Sequence, residues 1–142
     1  MDMAFKYIES SPLMLESEYG YTARDGKCQY DSSKGVGQVK SFNNVSSGSA
    51  SQLKAAVAQQ PVSVAIEADQ IAYQGYTGGV ITKGCGSVLD HGVLAVGYGT
   101  DSTGQDYFLV KNSWGPSWGV NGYVKIAPNQ CGITLDASYP KE

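Results

Sequence analysis

The chain has a single histidine, His91, in the string Leu-Asp-His-Gly-Val-Leu-Ala-Val-Gly-Tyr-Gly over residues 89–99. An isolated histidine is most simply read as a buried, hydrogen-bonded core residue. The company of this one argues otherwise. Asn112 follows in Val-Lys-Asn-Ser-Trp-Gly-Pro-Ser-Trp-Gly, residues 110–119, with Trp114 and Trp118 close behind it. Such a set suits nucleophilic catalysis by a thiol. A cysteine is held as thiolate by a neighbouring imidazole, and that imidazole needs a third group to fix its tautomer and orientation. A large indole beside the pair excludes water and strengthens the His–Asn hydrogen bond. The three cysteines, Cys28, Cys85 and Cys131, are an odd number and leave at least one unpaired within the chain. His91 has no partner ligands at metal spacing, so neither a metal nor an organic cofactor is implied.

These residues need elements to hold them. The first ten residues read as a helix end with Met1, Ala4, Phe5 and Ile8 on one apolar face, stopped by Ser10, Ser11 and Pro12. Residues 13–35 show no sustained period and read as a loop or linker, with a turn at Arg24-Asp25-Gly26-Lys27. A second helix is expected over 50–59, with Leu53, Ala56 and Val57 as its buried stripe. Ser49 and Gln52 form its capping box and Pro61 ends it. Strands are expected over 61–68, 92–99, 106–113 and 122–127, which are rich in Val, Ile, Tyr and Phe. Residues 100–106 link two of them as a hairpin. Several strands with Gly-rich turns and few helices suggest a closed or partly open antiparallel barrel.

Composition fits a single domain, or one and a fraction. Hydrophobic residues make up 42% of the 142 residues, enough for a core, and charged residues only 16%. The net charge is −3 with no basic stripe, which argues against nucleic acid as a partner. No apolar run approaches the roughly 18 residues of a membrane span. Met1 is followed by an amphipathic segment and not by a secretory leader. Asn44-Val45-Ser46 is a weak N-glycosylation sequon.

Six collinear strings resemble those of the papain-like cysteine peptidases, in particular the C-terminal two-thirds of cathepsin L-like members. They are MDMAFKYI, PVSVAI, DHGVLAVGYG, KNSWGPSWG, NGYVKI and CGITLDASYP. The resemblance implies an α+β papain-like fold: a remnant of the helical left-hand domain and linker over 1–37, and the right-hand β-barrel domain over 38–142. It implies that His91 is the catalytic imidazole and that Asn112 orients it. Trp114 would shield the pair, and Trp118 would pack behind it or serve only as a core aromatic. Cys85 and Cys131 match the family's barrel-side disulfide, against the alternative of free thiols. Cys28 matches a cysteine whose family partner lies upstream, so it should be unpaired here. Met1, Ala65, Leu89, Asp90 and Asp136 match the walls of the substrate pocket. An acidic floor at Asp136 would accept Arg or Lys as well as a bulky apolar side chain. The alternative places that carboxylate in solvent near the C-terminus.

The family's nucleophile precedes its His and Asn by roughly 130–150 residues, which puts it roughly 40 or more residues before Met1. No residue of the chain substitutes for it, because Cys28 lies in a turn and Cys85 is too close along the chain to His91. The expectation is a papain-like, thiol-dependent peptidase in its C-terminal portion, inactive without a Cys-bearing part. Its partners would be a peptide or protein substrate once a Cys-bearing chain complements it. The alternative is a non-catalytic structural or interaction protein, whose apolar interdomain face binds another protein within a larger assembly. The family resemblance implies a lysosomal, vacuolar or secreted setting. The lack of a leader leaves room for an intracellular assembly.

Overall fold

The computed structural model describes residues 1–141. These form two compact units: a larger one of Met1 with Asn44–Tyr139, and a smaller one of Asp2–Asn43 with the last residues from Pro140.

In the smaller unit, helix α1 (Asp2–Ile8) is followed by the two-residue strand β1 (Leu13–Met14), a 3-10 turn (Ser32–Lys34), β2 (Gly35–Gly37) and β3 (Ser41–Asn44). The apolar face expected of α1 is partly realised. Phe5 and Ile8 are half-buried, and Phe5 stacks on Phe42 at 5.7 Å, whereas Ala4 is exposed and no residue of the helix is buried. Residues 13–35 hold more regular structure than the loop or linker expected of them. Leu13–Met14 pairs antiparallel with Gly35–Gly37, and Asp31 caps the 3-10 turn by accepting the Ser33 N–H at 2.9 Å. A two-residue strand is too short to show a period of two, which is why the pattern missed it. Cys28 is exposed and unpaired, as expected.

The larger unit is built on α2 (Ala50–Val57), β4 (Val62–Ile66), the single turn α3 (Ile71–Gln74), β5 (His91–Thr100), β6 (Asp106–Lys111), β7 (Tyr123–Ile126) and the first three residues of β8 (Ala137–Lys141). Its strands lie in the order β8-β4-β5-β6-β7, with the β4–β5, β4–β8, β5–β6 and β6–β7 pairs all antiparallel. The alternation Val62, Val64, Ile66 in, Ser63 and Ala65 out, follows from the period-two geometry of a strand with one core face. Val62, Val64, Ile66, Val110 and Ile126 are completely buried and meet Leu53 of α2 and Ile133 in one core.

Helix α2 buries the expected stripe of Leu53, Ala56 and Val57 and starts at Ser49, whose Oγ accepts the Gln52 N–H at 3.3 Å. The reciprocal arm of the capping box is redirected: the Gln52 amide oxygen accepts from the Ser46 N–H at 3.2 Å. The β5–β6 link is the anticipated hairpin loop. It is tied by Asp101, whose Oδ1 accepts from Thr103 N–H, the Thr103 hydroxyl and Gln105 N–H at 2.8, 2.6 and 3.0 Å. β8 and α3 were not anticipated. One carries a proline, and the other is a single turn without a side-chain cap.

Candidate active site

His91 is the first residue of β5 and pairs in register with Ile66 at the end of β4. Asn112 lies one residue past β6, where its N–H donates to the Gly122 carbonyl at 3.0 Å. Pairing of Leu94 with Lys111 brings the start of β5 beside the end of β6. The side chains meet there, with His91 Nε2 and Asn112 Oδ1 2.8 Å apart. The same oxygen accepts the Ser113 N–H at 2.8 Å. A main-chain donor at that distance requires the amide oxygen, not the nitrogen, to face it. His91 Nε2 is therefore the donor and carries its proton, which leaves Nδ1 available to exchange a proton with a reacting group.

An aromatic cluster backs the pair. The Trp114 indole stacks on the imidazole at 5.3 Å and 27°, and is itself 41% exposed, so it stands between the ring and solvent. Trp118 packs edge-on to Trp114 at 5.2 Å and is fixed by its Nε1–H donating to the Gln74 carbonyl at 3.0 Å. Tyr73 of α3 completes the cluster. Its ring lies edge-on to His91 at 6.4 Å and to Trp114 at 5.5 Å, and 5.0 Å from Trp118. Sequence reasoning missed Tyr73, because a single-turn helix gives no periodic signal that would have marked it. Tyr73 is completely buried, its hydroxyl has no hydrogen-bond partner, and burial pushes its phenol well above the ordinary range. Asn112 is only 8% exposed, and its Nδ2 also lacks a partner.

Of the five residues matched to a substrate pocket, Met1 lines a cavity that borders Asn112. This cavity, of about 400 Å³, is lined by Met1, Ser63, Gly92, Lys111, Asn112 and Ser113, among others. Ala65 shares the face of Ser63 and pairs with Gly92. Its N–H donates to the Asp136 carbonyl at 2.9 Å, which sets Asp136 next to it with an exposed side chain. Leu89 packs against Gly132. Asp90 turns its carboxylate back to the chain, where Oδ1 accepts the Ala68 N–H at 2.7 Å.

Cys85 and Cys131 form a disulfide, so the larger unit, which carries His91, contains no free thiol among its described residues. No group of three or more His, Cys, Asp or Glu side chains among the described residues could hold a metal. No helix among them is long and apolar enough to cross a membrane.

Comparison with known proteins agrees with this geometry. The family model described as "Papain family cysteine protease" matches residues 1–141. The chain is 46% identical to the probable cysteine protease RD21B of Arabidopsis thaliana, over 99% of this chain and 32% of that protein. It is 48% identical to cysteine protease 1 of Oryza sativa subsp. japonica, over 99% of this chain and 30% of that one. The chain thus spans about a third of the length of these curated relatives. Among solved structures, the bromelain protease of Ananas comosus superposes with a TM-score of 0.90 at 35% identity, covering 99% of this chain and 68% of that one. Digestive procathepsin L 3 of Tenebrio molitor larval midgut does so at 0.91 and 44%, covering 100% and 48%. With its motifs, its α+β fold and its His–Asn geometry in agreement, the chain belongs to the papain family of cysteine proteases.

Proposed function

We propose that these 142 residues are the imidazole-bearing part of a papain-like cysteine peptidase, and that its nucleophilic thiol comes from residues outside them. The observation that carries this reading is the 2.8 Å Nε2–Oδ1 pair under the Trp114 indole, in a unit whose two cysteines are bonded to each other. In the complete site His91 Nδ1 takes the thiol proton, and the thiolate attacks the peptide carbonyl carbon. The imidazolium then protonates the leaving amine as the C–N bond breaks, leaving a thioester. Water, deprotonated by the same imidazole, hydrolyses the thioester and regenerates the thiol. Asn112 holds the ring in the Nε2–H tautomer throughout. Trp118 and Tyr73 support the indole that shields it.

By itself the chain is inactive, because a base without its nucleophile retains almost none of the unit's effect. The apolar walls Met1, Ala65 and Leu89 favour a bulky apolar side chain next but one to the scissile bond. The exposed Asp136 carboxylate, beside Ala65, extends acceptance to Arg and Lys. In a complemented enzyme, Asp136→Ala should depress cleavage after Arg-Arg and spare cleavage after Phe-Arg, measured as kcat/KM on the two peptides. Equal loss on both would remove Asp136 from the pocket.

The domain assignment that goes with this reading is a helical-domain remnant and linker over 1–37 and the barrel domain over 38–142. The setting is lysosomal, vacuolar or secreted, in keeping with a disulfide in the larger unit. One observation favours the non-catalytic alternative. Val88, Leu89 and Leu135 are exposed, with Leu89 and Leu135 both against Gly132, and form an apolar patch suited to a protein partner. Intact-mass analysis of purified material separates the readings. A second polypeptide with a Cys-bearing segment supports the peptidase, and a lone 15.0 kDa chain bound to unrelated proteins sinks it.

A further inference from the structure

Residues 85–90, between the disulfide and His91, have no regular secondary structure, and all but Cys85 are exposed. Something other than a strand ladder must therefore fix how the chain enters β5 and where the imidazole starts. The residue opposite is Glu67, which directly follows β4, is only 5% exposed, and forms no ion pair among the described residues. Its carboxylate is fully engaged by neutral donors. Oε2 accepts the Val88 N–H at 2.6 Å, and Oε1 accepts the Gln70 amide N–H at 2.7 Å. Its own N–H donates to the Cys131 carbonyl at 2.8 Å, beside the disulfide. The 85–88 backbone is pressed so closely on this carboxylate that a Cβ at Gly86 would run into it. Two residues on, the exchange runs the other way. Asp90 N–H donates to the Ile66 carbonyl at 3.0 Å, and Asp90 Oδ1 accepts the Ala68 N–H at 2.7 Å.

We infer that Glu67, with Asp90 as its counterpart, is a positioning residue that sets the imidazole of His91 onto Asn112. This rests on the catalytic reading of the His–Asn pair given above. Burying a carboxylate without a counter-charge is costly, and an apolar side chain of similar size at such a site is often neutral or stabilising. The energetic argument for an acid at position 67 is therefore not fold stability. Charge-assisted hydrogen bonds to a main-chain N–H are short and directional, and a leucine cannot supply them. Val88 is three residues before His91 and Asp90 is one before it, so slack in this segment passes straight to the ring.

The single histidine makes the test unambiguous. The two ring nitrogens of His91 can be read by long-range ¹H–¹⁵N NMR on the full 142-residue chain at mildly alkaline pH. The wild-type chain should show the Nε2–H tautomer, with well-separated ring ¹⁵N resonances. Glu67→Leu should leave the melting temperature unchanged or raised while the two resonances move together, as tautomers mix. Glu67→Gln, which keeps an acceptor for Val88, should restore the separation. A merely structural Glu67 would give the opposite pattern: a lower melting temperature with the tautomer signature intact. That result, or retention of the signature in folded Glu67→Leu, overturns the inference. If Glu67→Leu does not fold, Gly86→Ala, which displaces the carboxylate without removing it, is judged by the same criterion. Absence of the Nε2–H signature from the wild-type chain would overturn the His91–Asn112 pairing itself, and the inference with it.

Discussion

Asn112 offers one oxygen to two donors, His91 Nε2 and the Ser113 N–H, and this double use fixes the imidazole. Replacing Asn112 by Ala should release the ring and mix its tautomers, which the same ¹⁵N spectrum reads. Retention of a pure Nε2–H form in Asn112→Ala would show that something else orients the ring. Tyr73 presents the opposite case, a buried hydroxyl with no partner. An unsatisfied buried polar group costs about 1–3 kcal/mol. Tyr73→Phe is therefore expected to stabilise the chain by about 1 kcal/mol, while Tyr73→Ala should cost about 3–5 kcal/mol through the cavity it leaves. Denaturant unfolding distinguishes the two. A destabilised Tyr73→Phe would mean that the hydroxyl has a partner. The meeting of His91, Asn112 and Trp114 was legible in the sequence because the three stand in two short strings of distinctive residue types. The places of Tyr73 in the aromatic cluster and of Glu67 beside residues 85–88 were not, because they follow from where α3 and the end of β4 set them.

Secondary-structure elements carry the site through a few local devices. α2 supports β4 and β5 from the core side, and its start depends on the Ser49 hydroxyl. Ser49→Ala should cost about 1 kcal/mol in thermal unfolding. No change would assign the cap to Gln52 and Ser46 instead. The β5–β6 hairpin loop depends on the Asp101 carboxylate, which hydrogen bonds from the Thr103 hydroxyl and the Gln105 and Thr103 N–H groups hold below the usual carboxylate range. The sign is that of a depressed acid: the loop's stabilisation is full above the ordinary Asp pKa and disappears as pH falls through the lower, folded value. The protection factors of the Thr103 and Gln105 amides, referred to intrinsic exchange at each pH, should fall on acidification and stay low at all pH in Asp101→Ala. The strands of the core announced themselves by β-branched residues in alternation, as Val62, Val64 and Ile66 do. β1 is too short for any period. In β8, Pro140 masks the strand, and the reversal of the Gln52 capping arm depends on Ser46 approaching from outside the helix.

At the scale of the molecule, the disulfide dominates. Cys85–Cys131 closes a separation of 46 residues. In the chain-entropy picture such a link restrains the unfolded state by about 4 kcal/mol. The double variant Cys85→Ala/Cys131→Ala should thus melt well below the parent, and an unchanged melting temperature would leave the bridge without structural weight. The papain-like fold was legible because six strings run in order along the whole chain. The partnership of residues 85–90 with Glu67 was not, since nothing in their composition marks it. The most direct measurement is hydrolysis of a Phe-Arg peptide by the 142-residue chain, alone and after mixing with a polypeptide carrying a papain-type Cys-bearing segment. Complex formation would be verified by mass. The expected result is no cleavage by the chain alone, and thiol-dependent cleavage by the complex that falls by about 10²–10⁴-fold in His91→Ala. Thiol-dependent cleavage by the chain alone, or a verified complex that does not cleave, would contradict the assignment of this chain as the imidazole half of a cysteine peptidase.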